Sequence, residues 1–304
     1  MEKNNSFWLK SFKINSFEKL KQDIEVDVCI VGGGITGITT AYYLNKQGYK
    51  VALLERDTLC SKTSGHTTAK ITSQHGLFYS YLLKSQGEKF AKQYLEANEN
   101  AISNIRNIIN TEQIECDLEN KDSFVFTEDI NEIDKIREEV EVVRKLGIVD
   151  CDFVENLDIN LNIKGAVKFK NQAQFNPIKY VNGLINAMNN NCQIFENTAF
   201  KEYEEIEDGF IVYTNTKGKI KTKYLVLATR YPIINFPGYY FLKMYQEMSY
   251  VIAIKPKNKF NINGMYINSI SPKLSIKTAQ YNGEAIVLVG GYGNKTRRRY
   301  RFNT

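Results

Sequence analysis

The hydrophobic positions change period early and abruptly. Residues 26–31, "VDVCIV", form a short β-branched run of the kind a buried parallel strand needs. Gly32-Gly33-Gly34-Ile35-Thr36-Gly37 follows, and "ITTAYYLNKQG" then takes up helical spacing closed by Gly48. A second strand, "KVALLE", ends at Glu55. Further on, apolar spacing predicts helices over 78–112 and 131–147, with a strand at 122–128 between them. Pro177 suits the first position of a helix through "IKYVNGLINAM", with Asn176 as its cap. Residues 192–214 predict a strand, a crossover and a hairpin turning at Asp208-Gly209. One more strand follows at 219–229, and 248–256, 264–270 and 284–290 alternate as sheet strands do. No internal repeat is visible.

The strand–glycine–helix–strand order is the context a GxGxxG pattern needs to bind a dinucleotide. Gly32 permits the tight turn, Gly34 lets backbone approach a pyrophosphate, and Gly37 lets helix and strand pack closely. Free amides at Ile35 and Thr36, with the positive end of the helix dipole, would face the phosphates. Glu55 would accept from ribose hydroxyls, and its charge disfavours a 2′-phosphate.

Composition narrows the class without deciding it. The 304 residues are 43% hydrophobic and 24% charged, long enough for two lobes. Four of the nine arginines fall in the last eight residues, "RRRYRFNT", so the net charge of +6 is largely a tail property and gives no nucleic-acid surface. Five scattered cysteines without a CxxC pair imply free thiols and a cytoplasmic setting. The apolar stretch 26–44 contains Asp27 and four glycines and is no membrane span. Both histidines, His66 and His75, lie in "SGHTTAKITSQHG", but with Cys60 their spacing matches no common zinc pattern, and no metal is expected.

Three features favour FAD over NAD. The segment "RDTLCSKTSGHTTAK" after Glu55 is a polar, small-residue loop rather than a new amphipathic helix. The strand "KIKTKYLVLAT" ends in Ala228-Thr229, as late strands of such flavoproteins do, although Arg230 stands where they usually have glycine. The strand–crossover–hairpin at 192–214 would bring the backbone near Phe200 beside an adenine. An NAD-dependent dehydrogenase is the remaining alternative. Together "DVCIVGGGITGITTAYYLNKQGYKVALLER", "SGHTTAKITSQHG" and "QAQFNPIKYVNGL" resemble the glycine/D-amino-acid-oxidase-like (DAO) FAD-dependent oxidoreductases. The resemblance spans residues 7–296 and is nearest to a bacterial subgroup whose members often end in a Rieske iron–sulfur domain.

The resemblance implies an α/β fold, a Rossmann-like FAD-binding domain of the glutathione-reductase type with an inserted α+β substrate domain. After an N-terminal extension (1–23), it assigns 24–75 and 170–230 to the FAD domain and 76–169 and 231–296 to the substrate domain, with 297–304 a basic tail. It implies hydride transfer to FAD from the carbon bearing an amine, on a small amine or amino-acid substrate, with the electron acceptor left open. The cofactor would be held by Gly32, Gly34, Ile35, Thr36 and Gly37 at the turn. Glu55 and Arg56 follow at the second strand. Ser64, Gly65, His66, Thr67, Thr68, Ala69 and Lys70 line the loop, with Ala69 leaving room for the flavin ring. Phe200, Ala228 and Thr229 complete the set. Lys70 is expected near the flavin's reactive edge, or else against a phosphate or solvent. Tyr250 and Tyr266 read as core aromatics of a sheet, with the flavin face as the alternative for each, and Arg106, Arg137 and Arg144 as residues of surface helices. No catalytic residue is assigned. The arginine burst predicts an end that is out of frame or cut short, which puts the activity of this chain in question. A flavin-binding electron-transfer or scaffold protein is the alternative to an enzyme.

Overall fold

A computed structural model describes residues 6–157, 159–257, 260 and 262–295; the basic tail at 297–304 lies outside the described residues. In chain order the elements begin with α1 (Phe7–Ser11), β1 (Ile24–Val31), α2 (Ile35–Lys46) and β2 (Val51–Leu54). A 3₁₀ turn at Thr63–His66 leads to β3 (Lys70–Ile71), α3 (Tyr79–Gln86), α4 (Glu88–Thr111) and β4 (Glu119–Thr127). Then come α5 (Ile133–Leu146), β5 (Cys151–Val154), β6 (Gly165–Gln174), α6 (Pro177–Ala187) and β7 (Cys192–Phe195). The chain continues through β8 (Phe200–Ile206), β9 (Gly209–Thr214), β10 (Lys219–Leu227) and α7 (Tyr240–Lys243). It ends in β11 (Glu247–Ile254), β12 (Gly264–Asn268), β13 (Leu274–Tyr281) and β14 (Glu284–Lys295).

Two compact units divide the chain. The first comprises Met1–Thr67, Thr111–Cys116 and Pro177–Met244. Its sheet runs β7-β2-β1-β10-β9-β8. The four strands β7, β2, β1 and β10 are parallel, and β9 and β8 return as an antiparallel hairpin. The apolar run of β1 is buried because β2 and β10 flank it on both edges. Strand order therefore reverses around β1, which opens a crevice at its carboxyl end where ligands bind in sheets of this kind.

The second unit comprises Thr68–Asn110, Asp117–Asn176 and Tyr245–Thr304. Its eight-stranded sheet runs β11-β14-β13-β12-β4-β6-β3, with β5 also on β6. Every pairing is antiparallel except β12 with β4. Residues 68–75 and 170–176, which the resemblance assigned to the FAD domain, belong to this unit because Lys70 and Ile71 pair with Gln174 and Ala173. Helices α3, α4 and α5 bury Tyr79, Leu95, Ile136 and Val143 with Val167 and Phe169 of β6.

Several local expectations change. The helix predicted over 78–112 is two helices, because Gly87 takes a φ of 85° that an unbroken helix cannot hold. Gly147 ends α5 at a left-handed φ of 69°, where its amide reaches the carbonyls of Val143 and Arg144. Tyr266 is a core aromatic, stacked on Phe124 at 5.0 Å between ring centres. Tyr250 is not, since all of β11 is exposed. Arg106 does more than decorate a surface: its guanidinium donates to the carbonyls of Asn171 and Gln172, fastening α4 to β6. Arg137 lies over the Phe153 ring at 3.9 Å, and Arg144 donates to the carbonyl of Cys151.

Candidate cofactor site

The site begins where β1 ends. Gly32 donates its amide to Leu54 O at 2.8 Å and turns with a φ of 120°. A side chain there would meet Ala228 O at 2.7 Å, so the turn closes only on glycine. Ala228 in turn donates to Val31 O at 2.9 Å, which sets the end of β10 against the turn, with Thr229 immediately after it. Gly37 is tighter still: a Cβ would lie 1.9 Å from Gly32 O. Gly33, to which the sequence pattern gave no role, leaves the space filled by Leu59 and Glu55.

Gly34 behaves differently. It caps α2 without a side chain, and among the described residues, apart from its chain neighbours, a Cβ there would approach Ser64 Oγ alone, at 3.0 Å. That hydroxyl already accepts from Ile35 N at 2.9 Å, so one amide of the helix start is satisfied by the loop and Ser64 keeps its own O–H to donate. Thr36 is exposed one residue further on. An open glycine, a helix start and a hydroxyl donor make a cradle suited to a dinucleotide pyrophosphate.

Glu55 is braced before any ligand is considered. One carboxylate oxygen accepts from Gly33 N at 2.8 Å and the other from Asp57 N at 2.9 Å. Each oxygen keeps a second lone pair for a ribose hydroxyl. Arg56 is exposed beside Asp57. Below the turn Gly65 is buried, and its Cβ would press on Cys60 O. His66 is exposed with Nδ1 against Lys62 O at 2.6 Å, and Thr67 O accepts from the Trp8 indole at 2.7 Å. Burial, helped by the charge of Glu55, pushes the Cys60 thiol up to about 12, so it stays protonated. Among the described residues no group of three or more His, Cys, Asp or Glu side chains could hold a metal.

On the far side of β2, Asn197 donates to Asp57 O and Thr198 to Glu55 O, both at 2.9 Å. Phe200 opens β8 and packs its ring into the core around Cys29, Ala52 and Val212. Glu196, a residue the sequence pattern passed over, is buried and accepts from Leu59 N at 2.7 Å and Phe17 N at 3.0 Å. Arg230 donates to Thr63 Oγ1.

Thr68, Ala69 and Lys70 belong to the second unit. Ala69 is buried at a left-handed φ of 55°, and its carbonyl accepts from the ammonium of Lys277 at 3.2 Å. Lys70 donates to Tyr266 O at 3.0 Å and Ser275 Oγ at 2.8 Å, so its head group is held by protein rather than by solvent. Burial lowers both amines from the ordinary 10.5 to about 7, and the charge of Lys277 adds to the effect on Lys70. Unfolded, each lysine keeps its proton up to about 10.5. Between about 7 and about 10.5 the unfolded chain therefore binds more protons, and stability rises with pH across that window. Urea midpoints should increase from pH 7 to about pH 9, and Lys277→Met should flatten that rise; an equal rise in the variant would remove the assignment.

The family described as DAO, FAD dependent oxidoreductase, matches residues 27–303. This chain belongs to it. The cofactor of the DAO family is FAD, and the Gly34–Ile35–Ser64 cradle fits it. The chain is 37% identical over 296 residues to the putative Rieske 2Fe-2S iron-sulfur protein YhfW of Bacillus subtilis, covering 97% of this chain and 58% of that one. It is 24% identical to gamma-glutamylputrescine oxidoreductase of Escherichia coli, covering 75% of this chain and 54% of that one. The chain thus spans little more than half the length of these relatives. Among solved structures, glycine oxidase from Geobacillus kaustophilus superposes with a TM-score of 0.68 at 16% identity, over 89% of this chain and 72% of that one. L-proline dehydrogenase from P. horikoshii gives 0.68 at 17%, over 92% and 72%. The fold is therefore the α/β Rossmann-like FAD-binding fold of this family, with an inserted substrate-binding domain. Among the described residues no helix is long and apolar enough to cross a membrane.

Proposed function

We propose that the first unit carries FAD and that the protein oxidises a carbon–nitrogen bond of a small amine or amino acid. The observation that carries the cofactor half is the open cradle at Gly34, bordered by Ile35 and Ser64, at the carboxyl end of β1. FAD supplies the hydride acceptor. The chain supplies position: Gly34 gives close approach, the α2 start and Ser64 give donors to the phosphates, and Glu55, fixed by two amides, offers its remaining lone pairs to the ribose. Further cofactor contacts within the first unit are assigned to Thr67 on the loop and to Ala228 and Thr229 beside Gly32. The substrate half is supported by the names of relatives, a gamma-glutamylputrescine oxidoreductase and a glycine oxidase among them.

A second reading, a flavin module that passes electrons without substrate turnover of its own, is favoured by the likeness to a Rieske protein. That likeness also supports membership of the Rieske-bearing subgroup, with an iron–sulfur centre as electron acceptor. One experiment separates the readings. The purified protein should keep a flavin absorption spectrum through desalting, and anaerobic addition of one member of an amine and amino-acid panel should bleach it. A colourless protein that FAD cannot reconstitute sinks both readings, and a bound flavin that no member of the panel bleaches leaves the electron-transfer module.

A further inference from the structure

The chain before β1 has little regular structure, yet Ser6, Trp8 and Leu20 are buried. Residues 6–23 are held at Asp23, whose carboxylate accepts from Lys219 N at 3.0 Å, and at two further places that both bear on the loop that follows Glu55. At the first, Ser6 Oγ donates to Gly65 O and the Trp8 indole donates to Thr67 O at 2.7 Å. The Leu9 side chain closes over Gly65, 3.0 Å from where a Cβ would stand. At the second, Phe17 N donates to one oxygen of Glu196 and Leu20 N to Thr198 Oγ1 at 3.1 Å. The other oxygen of Glu196 holds Leu59 N, just upstream of the same loop.

We infer that residues 6–23 are a strap that sets the shape of the cofactor loop, with Ser6 and Trp8 as positioning residues and Glu196 as the point where strap and loop are tied. This rests on the reading that the first unit binds FAD. The physical need is specific. Residues 64–67 lie in no strand that could fix their carbonyls, and a carbonyl oxygen turned toward a pyrophosphate would repel it. The strap supplies donors to the carbonyls of Gly65 and Thr67, which engages these acceptors elsewhere. Ser64, between them and the glycine turn, is then held where its hydroxyl meets Ile35 N.

Trp8→Phe removes the indole donor and keeps an aromatic ring, and Ser6→Ala removes a single hydroxyl and stands in if the first variant folds poorly. Equilibrium dialysis of FAD against the full chain should show binding weakened about tenfold in Trp8→Phe and less in Ser6→Ala. Amide exchange should quicken at residues 63–67 while β1 and α2 keep their protection. A purely structural strap would instead lower the urea midpoint and loosen the first unit evenly with FAD affinity unchanged, and that result overturns the inference. Wild-type protein that takes up no FAD overturns the cofactor reading; the strap then stands or falls on the exchange pattern alone. The chain's only tryptophan is Trp8. Its emission in the wild type gives a second measure of cofactor arrival, since bound flavin beside this loop should quench it.

Discussion

Gly37→Ala should give a protein that no longer retains FAD and melts well below the wild type. The added Cβ would lie 1.9 Å from Gly32 O and 3.4 Å from the Ala228 side chain. The first of these is a backbone atom in a turn that Ala228 already closes, so no side-chain rotation relieves it. The helix must withdraw from the strand, and the amides at its start leave the phosphate position together. Overpacking of this severity costs about 3 kcal/mol or more. For a unit of this size that corresponds to a melting-temperature loss of roughly 6–12 °C. Thermal melts with and without FAD, and flavin absorbance after desalting, measure both consequences. Retention of flavin with an unchanged melt would mean that the glycine turn is not as tight as described.

Glu139→Ala should be the most damaging single change in the second unit, although the residue is far from glycine motifs in sequence. Its side chain is wholly buried on α5 and accepts three backbone donors at the start of α3: Phe78 N and Tyr79 N on one oxygen, Ser80 N on the other, each at 2.8 Å. One carboxylate thus caps a helix that has no side-chain cap of its own. Removing it strands three amides, each worth about 1–3 kcal/mol when unsatisfied. Expected are a lowered urea midpoint and faster amide exchange through α3, with β1 and α2 still protected. Glu139→Gln should recover part of the loss, because its amide oxygen accepts while its NH₂ faces donors. A variant with wild-type exchange in α3 would rule out this cap.

These two sites show what the sequence does and does not make legible. The turn at Gly32–Gly37 could be read because its strand, helix and acid follow one another within about 30 residues, as the βαβ unit requires. The same locality made Gly147 and Pro177 readable as helix signals. Glu139 was not readable: in "REEVEVV" it looks like one more solvated acid, and only amides about 60 residues away explain its burial. Strand β6 escaped for a related reason. "GAVKFKNQAQ" is polar in composition, yet Gln172 and Gln174 are buried, held through Ser73, Glu99, Glu119 and Thr278. Lys277 likewise hides β13 from a hydrophobic count. At the cofactor loop the small residues were legible as a group. The strap was not, because its contacts run to carbonyls of residues nearly 60 positions on and leave no periodic trace.

The pairing of β1 with β10 carries a consequence in time. Ile24 finds its partner only at Ile220, and at ribosomal speeds of about 5–20 residues per second the first strand waits roughly 10–40 s for it. Until then one edge of β1 has no neighbour, and Gly32 lacks the Ala228 carbonyl against which its turn is set. The nascent chain therefore exposes a β-branched edge long before it can recognise a dinucleotide, and cofactor capture must wait until β10 has been made.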